Sequence, residues 1–437
     1  MRMWKGLSIL YFPEMQRKNI LVFPCGSEIG LDIHDGVQYS TYFHLIGASS
    51  VDDHGKFVFS DYIGGLPFIT DPEFSSVLKP ILSQKKIDAI FPATDMAATY
   101  LKRMEDELGC QVITSPLATT EMCLSKQKTY ETLRGLVRTP SVYSTTPDSF
   151  PVFVKPTIGH SSIGAKKICS QRELDDALAQ RPDLIVMEYL PGDEFTVDCF
   201  TNQEGDLLFC RARQRNRIKD GISVNTTFVK DQKQFTDIAT VINSAVRFRG
   251  AWFFQVKKAA NGEFCLLEIA ARFGGSSILC KAIGVNLPLM TLFDAFGYQV
   301  RIQQSEYDVE LDRALGNNFK CDVSYSTVYV DYDDCLILDA QRVNVQLIAF
   351  LYKCINEGKK LVLLTKHDGD IEEELVRFRL TGLFDRIIHI KEGEEKYPYI
   401  DSSEAIFIDD SFAERQKVSD NNHIPVFSPE NIDVLMG

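Results

Sequence analysis

The chain has 437 residues, room for two or three domains, and its 45% apolar and 24% charged content is that of an ordinary globular protein. A net charge of −13 argues against a nucleic acid or an anionic membrane as the main partner, so a polyanion would need a local basic pocket in an acidic body. Eleven cysteines, an odd number with no CxxC, fit reduced thiols in the cytoplasm rather than a disulfide framework or a zinc site, and no apolar run reaches the roughly 18–20 residues of a membrane span.

Residues 1–18 read as a loose leader, too short and too poorly patterned for a secretion signal. Asn19-Ile-Leu-Val-Phe23 is a predicted strand, and Pro24 to Gly30 is a turn into a helix, the strand–glycine-turn–helix logic of a Rossmann-like unit. Further strands are predicted near Phe43–Ala48 and over Ile87–Phe91, so the first 115 residues form a small parallel α/β domain. Asp53, His54, Thr94 and Asp95 fall at carboxyl ends of its strands, where open α/β sheets present ligands; turn and helix-cap roles fit them equally well. His34, His44 and His54 have no metal-ligand spacing.

From about residue 115 the texture changes. Ser125-Lys126-Gln127-Lys128 opens a helix reaching Leu133. The short β-branched run Val152–Val154 reads as a buried strand, and Lys155 stands at its end. The small-residue loop that follows carries Gly159, Ser161, Ser162 and Gly164. Such a loop can fold over phosphates, because backbone N–H groups approach an anion where no Cβ intrudes. Gln171–Gln180 is an amphipathic helix, and a buried strand runs to Glu188 before the turn that carries Glu194. The hinge can meet a purine edge through its backbone, and a carboxylate can accept two ribose hydroxyls. Arg211, Arg213, Arg215, Arg217 and Lys219 follow in one run; they face phosphates or an anionic substrate, or else form a solvated edge strand. A hairpin around Asn261-Gly262 puts Gln255 and Glu268 inside apolar strands, where a carboxylate needs a partner such as a metal ion. Phe273-Gly274-Gly275-Ser276-Ser277 is a second small-residue loop.

In this order, CLSKQKTYETL, FVKPTIGHSSIG, VMEYLPGDEFTVD and LLEIAARFGGSS resemble the ATP-grasp superfamily, in its carbamoyl-phosphate-synthetase-like and carboxylate–amine ligase branch, over roughly residues 19–305. The resemblance implies a pre-ATP-grasp α/β domain over 1–115 and an α+β ATP-grasp domain over 116–305. It implies that Lys126 and Lys155 contact ATP and that the 159–164 loop covers its phosphates. Glu188, Tyr189 and Leu190 would form the adenine hinge and Glu194 would hold the ribose. Gln255 and Glu268 would ligate magnesium, and Arg272 would stabilise the transferring phosphoryl group. One position departs: where the family reads Glu-x-Asn-x-Arg, this chain has Glu268-Ile-Ala270-Ala-Arg272, which removes a usual metal ligand.

Residues 306–325 read as a linker. Thr327–Val330 is a strand ending in Asp331-Tyr-Asp333-Asp334. Two carboxylates two residues apart there can divide nucleophile and proton-donor work. A helix stopped by Gly358, a strand Lys360–Leu364 ending in Thr365, then Lys396, and a strand Ala405–Ile408 ending in Asp409-Asp410 complete a pattern. It resembles the haloacid-dehalogenase (HAD) phosphohydrolase superfamily over 326–437, which implies a Rossmannoid domain, here without room for a large cap. The resemblance makes Asp331 the nucleophile and Asp333 the acid/base. Thr365 and Lys396, with Lys391 as the alternative lysine, would hold the phosphoryl group, and Asp331, Asp333, Asp409 and Asp410 would form a magnesium site. Cys335 departs mildly from the usual residue.

Together these readings imply a cytoplasmic bifunctional enzyme that uses ATP and Mg2+. It would join a small-molecule carboxylate, phosphorylated or not, to an amine, with Arg213, Arg215 and Arg217 holding the substrate, and a homodimer is compatible with this reading. The alternatives are a ligase with a structural HAD domain, and a nucleotide-binding regulator in which Ala270 marks impaired chemistry.

Overall fold

The computed structural model describes residues 17–436 apart from 145–146, 160–162, 220, 306, 315, 317–318, 320 and 392. The chain divides into two compact units, residues 1–315 and 316–437.

The first unit begins with a parallel sheet of five strands: β1 (Lys18–Phe23), β2 (Phe43–Ala48), β3 (Tyr62–Ile63), β4 (Ala89–Pro92) and β5 (Gln111–Val112), in the order β3-β2-β1-β4-β5. Ile20, Leu21 and Val22 are fully buried, as a strand covered on both faces requires. Ser27 caps the helix Glu28–Val37, its Oγ accepting the Gly30 amide at 3.1 Å. A Cβ at Gly26 would fall 1.7 Å from an Asp53 carboxylate oxygen, so a side chain there would have to displace Asp53.

Two more sheets follow. β6 (Val142–Tyr143), β7 (Val152–Pro156), β8 (Lys166–Ile168) and β9 (Leu184–Glu188) form an antiparallel sheet ordered β6-β9-β7-β8. β10 (Glu194–Thr201), β11 (Leu207–Lys219), β12 (Ile222–Phe228), β13 (Gly250–Lys258), β14 (Phe264–Ala270) and β15 (Glu310–Asp312) form the large antiparallel sheet, ordered β14-β13-β10-β11-β12-β15. Residues 310–312, expected within a linker, therefore form an edge strand of this sheet. Three residues of mixed character carry no strand signature, and backbone pairing with β12 makes the strand. Arg313 follows and donates to both carboxylate oxygens of the buried Asp32, at 3.1 and 3.3 Å. Trp252 anchors the core beneath the sheet: its ring stacks on Phe248 at 4.0 Å, and its indole N–H donates to Thr201 Oγ1.

Two registers place the chemistry. Thr196 pairs with Arg213 on one side and Gln255 on the other, and Gln255 pairs with Glu268. Strand alternation thus puts Arg213, Thr196, Gln255 and Glu268 on one face. Bulges break the ladder after Gln255 and after Arg215.

The second unit holds a parallel sheet built from β16 (Thr327–Val330), β19 (Lys360–Thr365), β20 (Arg386–His389), β21 (Ala405–Ile408) and β22 (Val426–Phe427), in the order β20-β19-β16-β21-β22. A small hairpin, β17 (Ile337–Leu338) with β18 (Arg342–Val343), follows the central strand. The helix Val345–Asn356 buries Leu347, Phe350, Leu351 and Cys354 among the same apolar residues as Val328 and Val330. No helix among the described residues is long and apolar enough to cross a membrane.

Candidate functional sites

A cleft in the first unit gathers side chains from the helix Lys126–Leu133 and from both antiparallel sheets. Lys126, Lys155, Glu188, Glu194, Arg215, Gln255, Lys257 and Glu268 are its ionic and amide lining, and Phe153, Met187 and Leu190 are among its apolar walls. Its empty space, open mouth included, is about 860 Å³.

Lys155 is buried at the end of β7 and donates to the Leu267 carbonyl at 3.0 Å. Burial pushes its ammonium down to about 8, against an opposing pull from Glu268. Lys126 donates to the Gly159 carbonyl at 2.9 Å and lies 3.9 Å from Glu268. The lysine of the helix start and the glycine of the loop are thereby tied together. Ser161 and Ser162 lie outside the described residues; Gly159 and Gly164 flank them, Gly164 with φ +78°.

At the opposite end, Glu188 is held by Arg138 at 2.9 Å, so the hinge 188–190 offers backbone groups rather than a free carboxylate. The Tyr189 ring lies under the Lys167 ammonium, and Leu190 is buried. Glu194 meets Arg215 through one oxygen and Lys257 at 3.4 Å through the other. Arg138 and Lys257 were not anticipated. Cation–carboxylate pairing across strands leaves no spacing signal along the chain.

The arginines expected to hold substrate have three different environments. Arg215 lines the cleft. Arg213 does not: it is 2% exposed, with Nε on Asp198 at 2.7 Å and Nη2 at 3.5 Å from Ser277 Oγ, and Ser277 also donates to Asp198. It is a buried ion pair beneath the 273–277 loop. Arg217, beyond the bulge, is exposed and pairs with Asp312 on β15. Arg272 reaches the first sheet, donating to Asp95 at 2.6 Å, with its guanidinium 5.4 Å from the Phe253 ring centroid. Thr94 caps the helix Asp95–Arg103. Asp53 accepts from Ser49 and from the Gly55 amide as a turn residue. His54 precedes a short helix without capping it through its side chain.

The donors for a metal in this cleft are few. Glu268 is the one carboxylate on the paired β13–β14 positions. Gln255 faces it in register, and Ala270 pairs with Phe253. These residues fit one divalent ion and lack the ligands for two.

In the second unit, Asp331, Asp409 and Asp410 follow adjacent parallel strands, and one oxygen of each lies within 4.8 Å of the others. Lys396 places its ammonium 2.6 Å from both Asp331 and Asp409, whereas Lys391 is exposed. Burial holds the Asp331 carboxyl up at about 7 despite Lys396. Burial works against the Lys396 charge, but Asp331 and Asp409 raise its pKa. Thr365 is fully buried at the end of β19, its Oγ accepting the His367 amide at 3.1 Å. Asp333 stands apart from the carboxylate trio, contrary to its expected place among the metal ligands. Its two oxygens lie 2.9 and 3.1 Å from His367 Nδ1, because a competing basic partner sits two residues beyond Thr365. The trio with Lys396 fits a single divalent ion.

A family model described as "ATP-grasp in the biosynthetic pathway with Ter operon" matches residues 180–313. A D-alanine–D-alanine ligase of Thermotoga sp. (strain RQ2) is 29% identical over 143 residues, 29% of this chain and 46% of that protein. The chain thus spans about half the length of this curated relative. The biotin carboxylase domain of 2-oxoglutarate carboxylase from Hydrogenobacter thermophilus, solved with MgADP and bicarbonate, has TM-score 0.56 at 15% identity, over 66% of this chain and 71% of that one. An L-amino acid ligase from Bacillus licheniformis has TM-score 0.54 at 17% identity, over 64% and 74%. The matched stretch lies within the first unit, which is similar there to the ATP-grasp family model and similar in fold to these carboxylase and ligase structures.

Proposed function

We propose that the first unit is an ATP- and Mg2+-dependent ligase that joins a small carboxylate to an amine. The observation that carries this reading is the convergence of Lys126, Lys155 and Arg215 with Glu268 in one cleft that Gly159 and Leu190 also line. A carboxylate oxygen of the acid attacks the γ-phosphorus of ATP, and the bond from that phosphorus to the bridging oxygen breaks, giving an acyl phosphate and ADP. The amine nitrogen then attacks the acyl carbon, phosphate leaves, and the nitrogen loses a proton. Lys126 and Lys155 hold the phosphates, and Arg272 meets the charge that develops at the transferred group. Bound magnesium would neutralise phosphate charge beside Glu268. D-alanine–D-alanine and L-amino acid ligases among the relatives support an amino acid as one substrate.

The second unit, in the same proposal, is a HAD-type phosphohydrolase. Asp331 attacks a phosphoryl group, the bond from phosphorus to the leaving oxygen breaks and Asp333 protonates that oxygen; water, giving its proton to Asp333, then attacks the aspartyl phosphorus and releases phosphate. Thr365 and Lys396 hold the phosphoryl oxygens, and Asp331, Asp409 and Asp410 would hold magnesium. The carboxylate trio around Lys396 supports it. A second reading, a nucleotide-binding regulator, is favoured by Ala270 alone.

The test is ADP release from ATP over a panel of acids and amines, with Asp331→Asn as background. Stimulation by one acid–amine pair, abolished by Glu268→Ala, establishes the ligase. Tight ATP binding without turnover on any pair establishes the regulator. Hydrolysis of p-nitrophenyl phosphate, lost in Asp331→Asn, tests the second unit.

A further inference from the structure

The cleft carries a surplus of fixed positive charge where its metal ligands run short. Among the described residues four cations line it: Lys126, Lys155, Arg215 and Lys257. Three carboxylates oppose them, but Glu188 is already neutralised by Arg138, a residue outside the lining. Glu194 and Glu268 remain against four cations. Gln255 faces Glu268 across the strands, yet its amide oxygen lies 3.5 Å from the Arg215 guanidinium. Arg215 is held rigidly. Its Nη2 donates to the Gly221 carbonyl at 2.7 Å, its Nη1 meets Glu194, and its side chain is 7% exposed. Its Nε–H is buried with no hydrogen-bond partner among the described residues. A guanidinium fixed in this way in the lining brings a set positive charge to the cleft.

Resting on the ATP-grasp reading, we propose that Arg215 replaces one divalent ion in this cleft, so that the site binds ATP with a single metal ion and keeps most of its nucleotide affinity with none. Glu268 is the sole anchor for the ion that remains. Lys126, Lys155 and Arg215 then neutralise the polyphosphate from the protein side, and Gln255 supplies a neutral contact that leaves the arginine charge undiminished.

The experiment titrates a fluorescent ATP analogue into the full chain in excess EDTA and in excess magnesium, and counts bound Mn2+ by electron paramagnetic resonance in an Asp410→Asn background that silences the second unit. Affinity is expected to fall no more than about tenfold on removing metal, with one Mn2+ bound per nucleotide. Arg215→Met is expected to lose about tenfold or more in EDTA. Gln255→Glu, which needs no loss of fold to act, is expected to make binding metal-dependent and to raise the count to two. Collapse of wild-type affinity in EDTA with recovery in magnesium, or two Mn2+ per nucleotide in the wild type, overturns the inference and leaves the ATP reading standing. Absence of binding in both media overturns both.

Discussion

Lys155 and Tyr130 share one acceptor: the ammonium and the phenol both donate to the carbonyl oxygen of Leu267, at 3.0 and 2.7 Å. Leu267 is the unpaired residue of the bulge in β14, between Glu268, which pairs with Gln255, and Leu266, which pairs with Val256. The bulge turns a backbone oxygen to the cleft, and that oxygen aims the lysine.

Because burial holds Lys155 at about 8 against an ordinary 10.5, pH acts on it with opposite signs in two measurements. Below about 8 the ammonium is charged and available to phosphate, and ATP affinity falls as pH rises above that value. The unliganded protein behaves the other way: it bears the cost of a buried charge below 8, and Lys155 adds stability between about 8 and 10.5 as it loses its proton. Nucleotide titrations and unfolding curves across this range check both. Lys155→Met should remove both pH dependences and cost about tenfold or more in affinity. Tyr130→Phe should lower affinity less, since Lys155 keeps its acceptor.

Asp198 and Arg213 form a fully desolvated pair. Asp198→Asn leaves the guanidinium buried without its counter-charge, and urea unfolding should show a loss of about 3–5 kcal/mol. Asp198→Leu combined with Arg213→Leu should cost less than the sum of the single changes, as paired groups in one network do. A substrate-binding role for Arg213 would instead raise KM with little change in stability.

The arginine run shows what was legible in the sequence and what was not. Periodicity gave β7, β9, β13 and β14, because those signals are local; only the family resemblance implied that Lys155, Gln255 and Glu268 share a site, and all three line one cleft. Arg213, Arg215 and Arg217 carry the same local signal. Their fates diverge through Asp198 on a neighbouring strand, a bulge after Arg215 and an edge strand at 310–312. Each of these is a cross-strand fact with no spacing along the chain. The contact of the Asp333 side chain with His367 left no signal for the same reason: His367 belongs to another strand end.

Magnesium should stabilise the second unit. Three carboxylates close together repel one another, and Lys396 compensates only part of that charge. An ion that binds the folded state alone raises the unfolding free energy, by about 2.7 kcal/mol at a hundredfold excess over its dissociation constant. Thermal unfolding of the full chain should show a magnesium-dependent upward shift, reduced in Asp410→Asn. An unchanged shift in that variant would place the ion elsewhere.

Arg272 and Asp95 make the last prediction. Their ion pair, at 2.6 Å, ties the end of β14 to the start of a helix on the parallel sheet, and it sets where the guanidinium points. If Arg272 acts on the transferred phosphoryl group, Arg272→Met should leave ATP affinity within about threefold and lower ligase turnover by about a hundredfold or more, the scale of losing one preorganised charge donor. Asp95→Asn keeps the arginine and loosens its aim, so its turnover should fall less, about tenfold, again with ATP affinity retained. A fall in ATP affinity equal to the fall in turnover would make Arg272 a nucleotide ligand instead. Equal losses in the two variants would make the pair a structural clasp whose integrity, rather than the arginine charge at the reacting group, sets the rate.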